Sequence, residues 1–332
     1  IFVDTKVRAV KALGNLASSK SYNVERFYDK KFEQLIVQTL QKEDFEVILL
    51  ESLYVSKYVK AIRKYTNAKI VLRAHNVESL LWQRNASKQK GIKKVYVKTL
   101  AKKLGKYEKE SLNSFDGIAA ITGKDKKTLQ QMGCTVPIEV FPFGVNMSDY
   151  PIGKQNVGKK VFHIGSMDWT PNSNGIKWFL NNVWQKVVEA VPTAQLNLAG
   201  RKMPLSIKQH KAKNLNVVGK VESAINFIAE NHIMVVPLLT GGGMRVKIIE
   251  GMALGKTVVA TSIAAEGIDC TKNKNIIIAD TPIEMANAII ACLNNDEKQL
   301  EIGKKARELM EKSYDNKIIV ANLLTFFKQI KP

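Results

Sequence analysis

The amino-acid sequence predicts an α/β fold with two Rossmann-like parallel-sheet domains. From Phe45 onward, short apolar runs of strand length alternate with longer segments of helical periodicity. This alternation is typical of a parallel sheet covered by helices on both faces. It occurs in two series, separated by a polar, turn-rich segment near residues 147–158. A chain of 332 residues is also too long for one ordinary core, which favours two domains.

The predicted strands form one group of four and one group of six. The first series lies at residues 47–50, 70–73, 117–121 and 139–141. The second lies at residues 160–164, 195–199, 215–218, 233–237, 257–260 and 275–278. Helical periodicity marks residues 176–191, 282–294 and 296–313. We therefore expect one domain at 1–150 and another at 151–315. Because residues 1–45 contain few convincing strands, the first domain is expected to be incomplete at its amino-terminal end.

The composition is typical of a globular protein. No apolar run approaches the roughly 20 residues that a membrane-spanning helix needs, and no signal peptide is visible. The three cysteines are far apart in the sequence: Cys134, Cys270 and Cys292. This argues against a disulfide framework or a zinc site and favours the cytoplasm. The four histidines form no metal-ligand pair at helical spacing, so we expect no bound metal.

The chain is strongly basic, with 51 Lys and Arg against 30 Asp and Glu and a net charge of +21. Such proteins tend to meet polyanions, and the densest basic stretch runs from Arg84 to Lys109. A stretch with only two aromatic residues, Tyr96 and Tyr107, does not fit nucleic-acid binding. Four apolar residues look like one helix face: Ile92, Val95, Leu100 and Leu104. We expect a helix on an anionic membrane surface; a solvated helix face is the alternative.

The strongest motif joins a predicted strand at 233–237 to a helix through a glycine-rich turn. The turn consists of Gly241, Gly242, Gly243 and Met244. Glycines let backbone N–H groups approach a ligand closely, and the helix N-terminus carries a partial positive charge. Arg245 and Lys247 would add formal charge for a diphosphate. Further along the helix, the carboxylate of Glu250 is placed to accept hydrogen bonds from hydroxyls such as those of ribose.

Two other strand ends carry polar residues. After the strand at 160–164, Gly165 and Ser166 offer N–H and hydroxyl donors for phosphate. In the same loop, Trp169 and Pro171 either shape a base pocket or pack. After the strand at 70–73, His75 stands at the ligand-facing end of the sheet.

These motifs resemble those of family-four GT-B glycosyltransferases. The resemblance includes the run Gly-Gly-Gly-x-Arg-x-Lys-x-x-Glu at 241–250 and Met-Ala-x-Gly-x-x-Val-Val-Ala-Thr at 252–261. The segment Gly-Ser-Met-Asp-Trp at 165–169 and the run His-Asn-x-Glu at 75–78 are similar to further family motifs. The family often has Glu eight positions before the ribose-binding Glu, where this chain has Gly242. Many relatives have Arg and Lys where this chain has Asp168 and Asn172.

The resemblance implies two domains facing a cleft, with the helix at 316–332 crossing back to the first domain. It implies transfer of a sugar from a nucleotide-sugar donor to a glycan or lipid-linked acceptor, with retention and with no metal or cofactor. Glu250 would bind the donor ribose, and His75 would face the cleft near the transferred sugar. Gly200 and Lys220 would border the nucleotide. The implied setting is cell-surface polysaccharide or glycolipid synthesis.

Two other functions stay open from the sequence. A nucleotide-sugar epimerase shares the two-domain plan, although we identify no acid and base groups for it. A non-catalytic polyanion-binding module is consistent with the net charge of +21. The role of Glu266, in the loop after the strand at 257–260, is also open between a structural turn and a donor contact.

Overall fold

A computed structural model describes residues 2–6, 14–151 and 157–331. Contacts within the chain divide it into two compact units. The first unit contains Ile1–Pro142 and Ala321–Pro332, and the second contains Phe143–Val320. The sequence placed its domain boundaries at residues 150 and 315. Residues 152–156 of the predicted linker lie outside the described residues.

The first unit contains a parallel sheet of four strands in the order β1-β2-β3-β4. The strands are β1 (Val47–Leu50), β2 (Lys69–Ala74), β3 (Gly117–Ala120) and β4 (Ile138–Val140). All four coincide with predicted strands to within a residue. The α-helices of the unit's main segment are Tyr22–Glu25, Lys30–Leu40, Val59–Ile62, Glu78–Ser87, Gly91–Ser111 and Gly123–Gln131. Short 3-10 helices lie at Asn15–Ala17, Leu53–Tyr58 and Leu112–Ser114.

The basic helix Gly91–Ser111 packs differently from the prediction. Leu100 and Leu104 are 4% and 0% exposed and lie in the interior of the unit, whereas Ile92 and Val95 are 90% and 67% exposed. The two leucines face the core because burying their side chains removes apolar surface from water. This corrects the prediction of one continuous apolar face for a membrane. Only the amino-terminal part of the helix presents apolar side chains to the outside.

The second unit contains a parallel sheet of six strands in the order β10-β9-β8-β5-β6-β7. The strands are β5 (Lys160–Ile164), β6 (Gln195–Ala199), β7 (Leu215–Gly219), β8 (Ile233–Val236), β9 (Thr257–Ala260) and β10 (Ile277–Ile278). The six predicted strands are confirmed, the last in a shorter form. The α-helices that begin in this unit are Thr170–Phe179, Gln185–Ala190, Leu205–Lys208, Ala224–Ala229, Val246–Ala253, Ser262–Ala265, Pro282–Leu293, Asp296–Ser313 and Asn316–Gln329. A π-helical turn at Leu180–Trp184 interrupts the helix predicted at 176–191, and a 3-10 helix lies at Met147–Asp149.

Strands β5 and β8 lie side by side, and this adjacency positions the candidate site. Val161 pairs with Ile233 in parallel register, so the loops that follow the two strands leave the same edge of the sheet. The strand order reverses at β5, which is where ligands bind in open α/β sheets. Gly175 lets the helix Thr170–Phe179 approach the loop after β8, because a Cβ at Gly175 would overlap the carbonyl oxygen of Pro237.

The last helix, Asn316–Gln329, contributes residues to both units. From Ala321 onward its residues belong to the first unit. Phe326 lies there with its ring centroid 5.5 Å from that of Phe141. Phe326 also lies so close to Gly117 that an added Cβ would meet the ring at 3.0 Å. Aromatic packing therefore attaches the end of the chain to the first sheet.

Candidate functional site

The glycine-rich turn in the second unit follows β8 and leads into the helix Val246–Ala253. Gly241 and Gly243 have φ values of +141° and +82°, a backbone conformation that other L-residues rarely adopt. Arg245 is the N-cap residue of the helix, and its side chain makes no capping hydrogen bond. The free backbone amides of the helix start and the positive end of the helix dipole therefore directly follow the glycine-rich turn. Met244 packs partly buried against the core of the unit.

The guanidinium of Arg245 is folded back onto this turn. The residue is only 5% exposed, and its Nη1 donates to the carbonyl oxygens of Gly242 and Gly243. Its carbon Cζ lies 5.3 Å from the ring centroid of Trp169, a cation–π contact. Within the described residues, its Nε and Nη2 are buried without a hydrogen-bond partner. Burial lowers the pKa of Arg245, and the charge of Glu266 opposes this shift. Two unpartnered guanidinium nitrogens suit the oxygens of a phosphate or carboxylate.

Lys247 is the second residue of the helix Val246–Ala253, and its ammonium is held by residues from two other elements. Its Nζ donates to Asn172 Oδ1 at 2.9 Å and lies 3.3 Å from His163 Nε2. Burial, and then the charge of Arg245, lower the pKa of Lys247 to about 7, while Glu250 opposes the shift. A buried cation interacts more strongly with an anion than an exposed one does, because little water screens the interaction.

The loop after β5 approaches the same ammonium through Gly165. A Cβ at Gly165 would overlap Lys247 Nζ, so a larger residue there would displace the end of the lysine side chain. The backbone of Gly165 also lies against Gly200, where an added Cβ would overlap the Gly165 carbonyl oxygen. The Gly165 amide donates to Ala199 O at 3.1 Å. The predicted donor-binding residues Gly165 and Gly200 therefore touch one another, and Gly165 touches Lys247.

Ser166 is engaged by its own loop. Its hydroxyl donates to Asp168 Oδ1 at 2.6 Å, and Lys202 Nζ donates to Asp168 Oδ2 at 2.9 Å. These two hydrogen bonds lower the pKa of the exposed Asp168 carboxyl to about 2. The Ser166 carbonyl accepts from Asn172 Nδ2 at 2.8 Å. Asp168 and Asn172 thus organise the loop at the positions where many relatives have Arg and Lys.

Glu250 lies on the same helix as Lys247 and accepts a hydrogen bond from a tyrosine. The Tyr150 hydroxyl donates to Glu250 Oε1 at 3.2 Å. Burial raises the pKa of Glu250, and burial together with the Glu250 charge raises the pKa of Tyr150 to about 12. The carbonyl of Tyr150 accepts from Arg307 Nη1 at 2.6 Å, which fixes the tyrosine backbone.

The predicted nucleotide-border residue Lys220 is exposed after β7. This strand is at the edge of the sheet, three positions from β8.

His75 lies in the first unit, directly after β2. Its Nε2 lies 3.0 Å from Glu51 Oε2, and Arg73 Nε lies 3.8 Å from the same oxygen. The imidazole is about half exposed, with a side-chain exposure of 47%. The nearby Glu78 accepts from the Tyr54 hydroxyl at 2.6 Å, and burial raises the pKa of Glu78. His75 is thus the more accessible of these two polar groups.

Two residues at the second unit's site were missed by the sequence interpretation. His163 is 0% exposed in β5, and Tyr150 is 8% exposed next to Glu250. A histidine between apolar residues of a strand was a signal for the first, because a buried polar residue is informative. Tyr150 gave no such signal, because it is 100 residues from its partner in sequence.

No metal centre or membrane span is found in the described parts of the chain. Residues 2–6, 14–151 and 157–331 contain no group of three or more His, Cys, Asp or Glu that would hold a metal ion. None of the helices in these ranges is both long enough and apolar enough to cross a bilayer.

Comparison with known proteins agrees with this architecture. Residues 158–295 match the family described as Glycosyl transferases group 1. The chain is 27% identical over 295 residues to an uncharacterized 44.6 kDa protein in the cps region of Klebsiella pneumoniae, covering 84% of this chain and 73% of that protein. Residues 158–295 include the glycine-rich turn and the cations beside it.

Two solved structures share the fold. Sucrose-phosphate synthase from Thermosynechococcus elongatus aligns with a TM-score of 0.67 and 16% identity, covering 92% of this chain and 78% of that one. Anabaena HepE in complex with UDP aligns with a TM-score of 0.65 and 14% identity, covering 90% and 82%. The fold is therefore GT-B. With the match of residues 158–295 to Glycosyl transferases group 1, this identifies the protein as a glycosyltransferase.

Proposed function

We propose that this enzyme transfers a sugar, with retention, from a nucleoside-diphosphate sugar to a glycan or lipid-linked acceptor. The observation that carries the proposal is the guanidinium of Arg245, which is 5% exposed and has two nitrogens without a hydrogen-bond partner in the described chain. Lys247 follows Arg245 by two residues in the first turn of the helix, and its ammonium lies next to Gly165. Two cations at a helix N-terminus suit a diphosphate. HepE was solved with UDP, and the Klebsiella relative comes from a cps region, which supports polysaccharide synthesis.

The role of each residue follows from the charge changes of the reaction. When the bond between the sugar's anomeric carbon and the diphosphate breaks, negative charge grows on the leaving diphosphate. Arg245 and Lys247 would stabilise that charge without reorganising, because their positions are already fixed. Glu250, held by Tyr150, would accept hydrogen bonds from the ribose hydroxyls. His75 would orient the transferred sugar or the acceptor, which receives the new bond to the anomeric carbon.

A binding screen tests the donor assignment. Thermal shift and calorimetry against UDP, GDP, ADP and dTDP should show saturable binding of one nucleotide. Arg245→Ala should abolish this binding, Arg245→Lys should restore part of it, and Lys208→Ala, an exposed lysine of the same unit, should leave it unchanged. Binding that survives Arg245→Ala would contradict the assignment of the diphosphate to this turn.

The same proposal includes an acceptor at an anionic membrane surface. Ile92 and Val95 are exposed at the amino-terminal end of the helix Gly91–Ser111. Four exposed lysines surround them in sequence: Lys90, Lys93, Lys94 and Lys98. Exposed apolar side chains among cations are the pattern of a segment that lies on anionic lipid headgroups. A lipid-linked acceptor would be presented at such a surface.

Vesicle flotation tests the membrane contact. The protein should float with vesicles containing anionic phosphatidylglycerol at low salt and not with neutral phosphatidylcholine vesicles, because screening weakens charge attraction. Ile92→Ser should reduce flotation, whereas Ile283→Ser, another exposed isoleucine at 63% exposure, should not. Equal flotation of the two variants would contradict the assignment to this helix.

A further inference from the structure

A fully buried histidine lies behind the lysine of the proposed diphosphate site. His163 in β5 is 0% exposed, and its Nδ1 lies 2.8 Å from the carbonyl oxygen of Val235. Because a carbonyl oxygen only accepts hydrogen bonds, Nδ1 carries the proton and Nε2 presents a lone pair. Lys247 Nζ lies 3.3 Å from this Nε2 and donates to it. Burial, and then the Lys247 charge, hold the pKa of His163 well below its ordinary value, so the ring is a neutral acceptor.

The ammonium of Lys247 is enclosed by neutral groups. Asn172 Oδ1 accepts from it at 2.9 Å, and the backbone of Gly165 lies where a Cβ would overlap it. Its hydrogen-bond partners in the described chain include no carboxylate, since they are an amide oxygen and an imidazole nitrogen. An ammonium in such surroundings loses hydration without gaining a counterion, which favours the neutral amine.

Two further charged groups lie close to this lysine. Arg245 precedes it by two residues, and its positive charge disfavours the ammonium. Glu250 lies three residues further along the same helix, and its charge favours the ammonium. The Glu250 carboxylate is itself bonded to Tyr150. The facing strand contributes His163, and the helix Thr170–Phe179 contributes the uncharged Asn172.

We infer that His163 is a positioning residue for Lys247, and that binding of the donor diphosphate is coupled to uptake of one proton by the Lys247 amine. The inference rests on the proposed function. The diphosphate places an anion against Lys247 Nζ, whose hydrogen-bond partners in the described chain are neutral, so the ammonium form is favoured once the donor is bound. The proton comes from solvent and becomes the third N–H of the ammonium; no covalent bond of the donor changes in this step.

The hydrogen bonds of His163 with Val235 and Lys247 predict how variants of His163 behave. His163→Leu removes the acceptor and leaves the amine less able to hold a proton, so UDP affinity at pH 7.5 should fall about tenfold. His163→Gln keeps an acceptor toward Lys247 and should restore part of the affinity. A merely structural role for His163 would lower thermal stability without changing the pH profile of UDP binding.

Calorimetry with UDP counts the protons directly. At pH 7.5, titrations in Hepes and in Tris differ in apparent enthalpy by the number of protons taken up times the difference in buffer ionisation enthalpy. We expect uptake of roughly 0.5 to 0.8 proton for the wild type, because the free Lys247 amine is mostly neutral at this pH. The readings at pH 7.5 and above avoid the ionisation of the UDP phosphate near pH 6.

The outcomes separate the inference from the proposed function. Lys247→Met should bind UDP weakly and without proton uptake. In His163→Leu, the fall in UDP affinity with rising pH should begin at a lower pH than in the wild type. UDP binding by the wild type with no proton uptake, or with the same uptake in Lys247→Met, would overturn the inference and leave the proposed function standing. The absence of saturable UDP binding at every pH would count against the proposed function, and the inference would fall with it.

Discussion

The hydroxyl of Tyr150 lies 3.2 Å from Glu250 Oε1 and donates a hydrogen bond to it. The tyrosine is held in turn by Arg307, which donates to its carbonyl oxygen. Tyr150, 100 positions before Glu250 in sequence, thus fixes the orientation of the Glu250 carboxylate on the helix that follows the glycine-rich turn. A carboxylate fixed in this way is suited to a pair of neighbouring hydroxyls, because its direction is set before the ligand binds.

Glu250→Gln should discriminate between a nucleotide and a bare diphosphate. Removing the charged acceptor should weaken UDP about tenfold, because hydrogen bonds to charged groups contribute about 1.5–3 kcal/mol. Inorganic pyrophosphate, which has no ribose, should lose much less affinity, because it feels only the loss of the Glu250 charge that favours the Lys247 ammonium. Tyr150→Phe should give a smaller loss of the same kind. Competition binding with both ligands measures the difference, and an equal loss for UDP and pyrophosphate would argue against a ribose contact.

Arg245→Met should separate binding from stability. The arginine is buried with two unpartnered nitrogens within the described residues, which costs free energy in the unliganded protein. Methionine removes this cost and also the bonds to the turn carbonyls, so the free energy of unfolding should change by no more than about 1 kcal/mol. UDP binding should be lost. Chemical denaturation without ligand, beside calorimetry, provides both values; a loss of several kcal/mol would mean that Arg245 is mainly structural.

Gly200→Ala should destabilise the second unit. Gly200 has a φ of +148°, and an added Cβ would overlap the carbonyl oxygen of Gly165. Backbone strain and overpacking together should cost about 2 kcal/mol or more. Gly123→Ala is the matched control, because an added Cβ there meets nothing within 4 Å and the residue begins a helix. Thermal unfolding should show a lower Tm for the first variant only, and equal Tm values would contradict the close contact.

Acidification should destabilise the protein through His232. The Lys160 amide donates to His232 Nδ1 at 3.2 Å, and burial, followed by the charges of Lys256 and Lys160, lowers the pKa of His232 to about 4. An unfolded histidine titrates near pH 6.5, so the unfolded chain binds the proton first as the pH falls. Stability is therefore full above about pH 6.5 and is lost toward pH 4, by at most about 1.4 kcal/mol per pH unit.

The control for this prediction is His232→Gln, which cannot titrate in this range. The difference in Tm between the wild type and this variant should change between pH 7 and pH 4.5, with the wild type losing more. Carboxylates contribute equally to both proteins and cancel in the difference. A difference that does not depend on pH would show that His232 is not the group responsible.

His75→Ala should lower turnover and spare donor binding. The proposed donor contacts lie in the second unit, whereas His75 lies in the first and is hydrogen-bonded to Glu51. Loss of a group that orients a reacting sugar can cost about 100-fold in rate. Initial rates with the cognate donor and acceptor, beside UDP calorimetry, measure the two effects. A variant that turns over normally would remove His75 from the proposed mechanism.

The sequence by itself determined the order of elements and the position of the glycine-rich turn. Strands, turns and caps depend on neighbouring residues, so a run such as 257–260 between Gly255 and Thr261 is readable from local pattern alone. The sequence also placed Arg245, Lys247 and Glu250 at the start of one helix, because residues 245–250 span fewer than two turns of 3.6 residues. The division of the chain into two α/β units follows from the same periodicity.

Only the tertiary structure decided which partners these residues have. The contacts of Lys247 with His163 and Asn172 join residues 84 and 75 positions apart, and the bond between Tyr150 and Glu250 joins residues 100 apart. Such contacts depend on which strands are neighbours in the sheet, and local pattern does not specify that order. The same limit explains the basic helix, where Leu104 is in the core and Ile92 is outside, although both have the spacing of one apolar face. Burial depends on what packs against a helix, and that is a property of the whole fold.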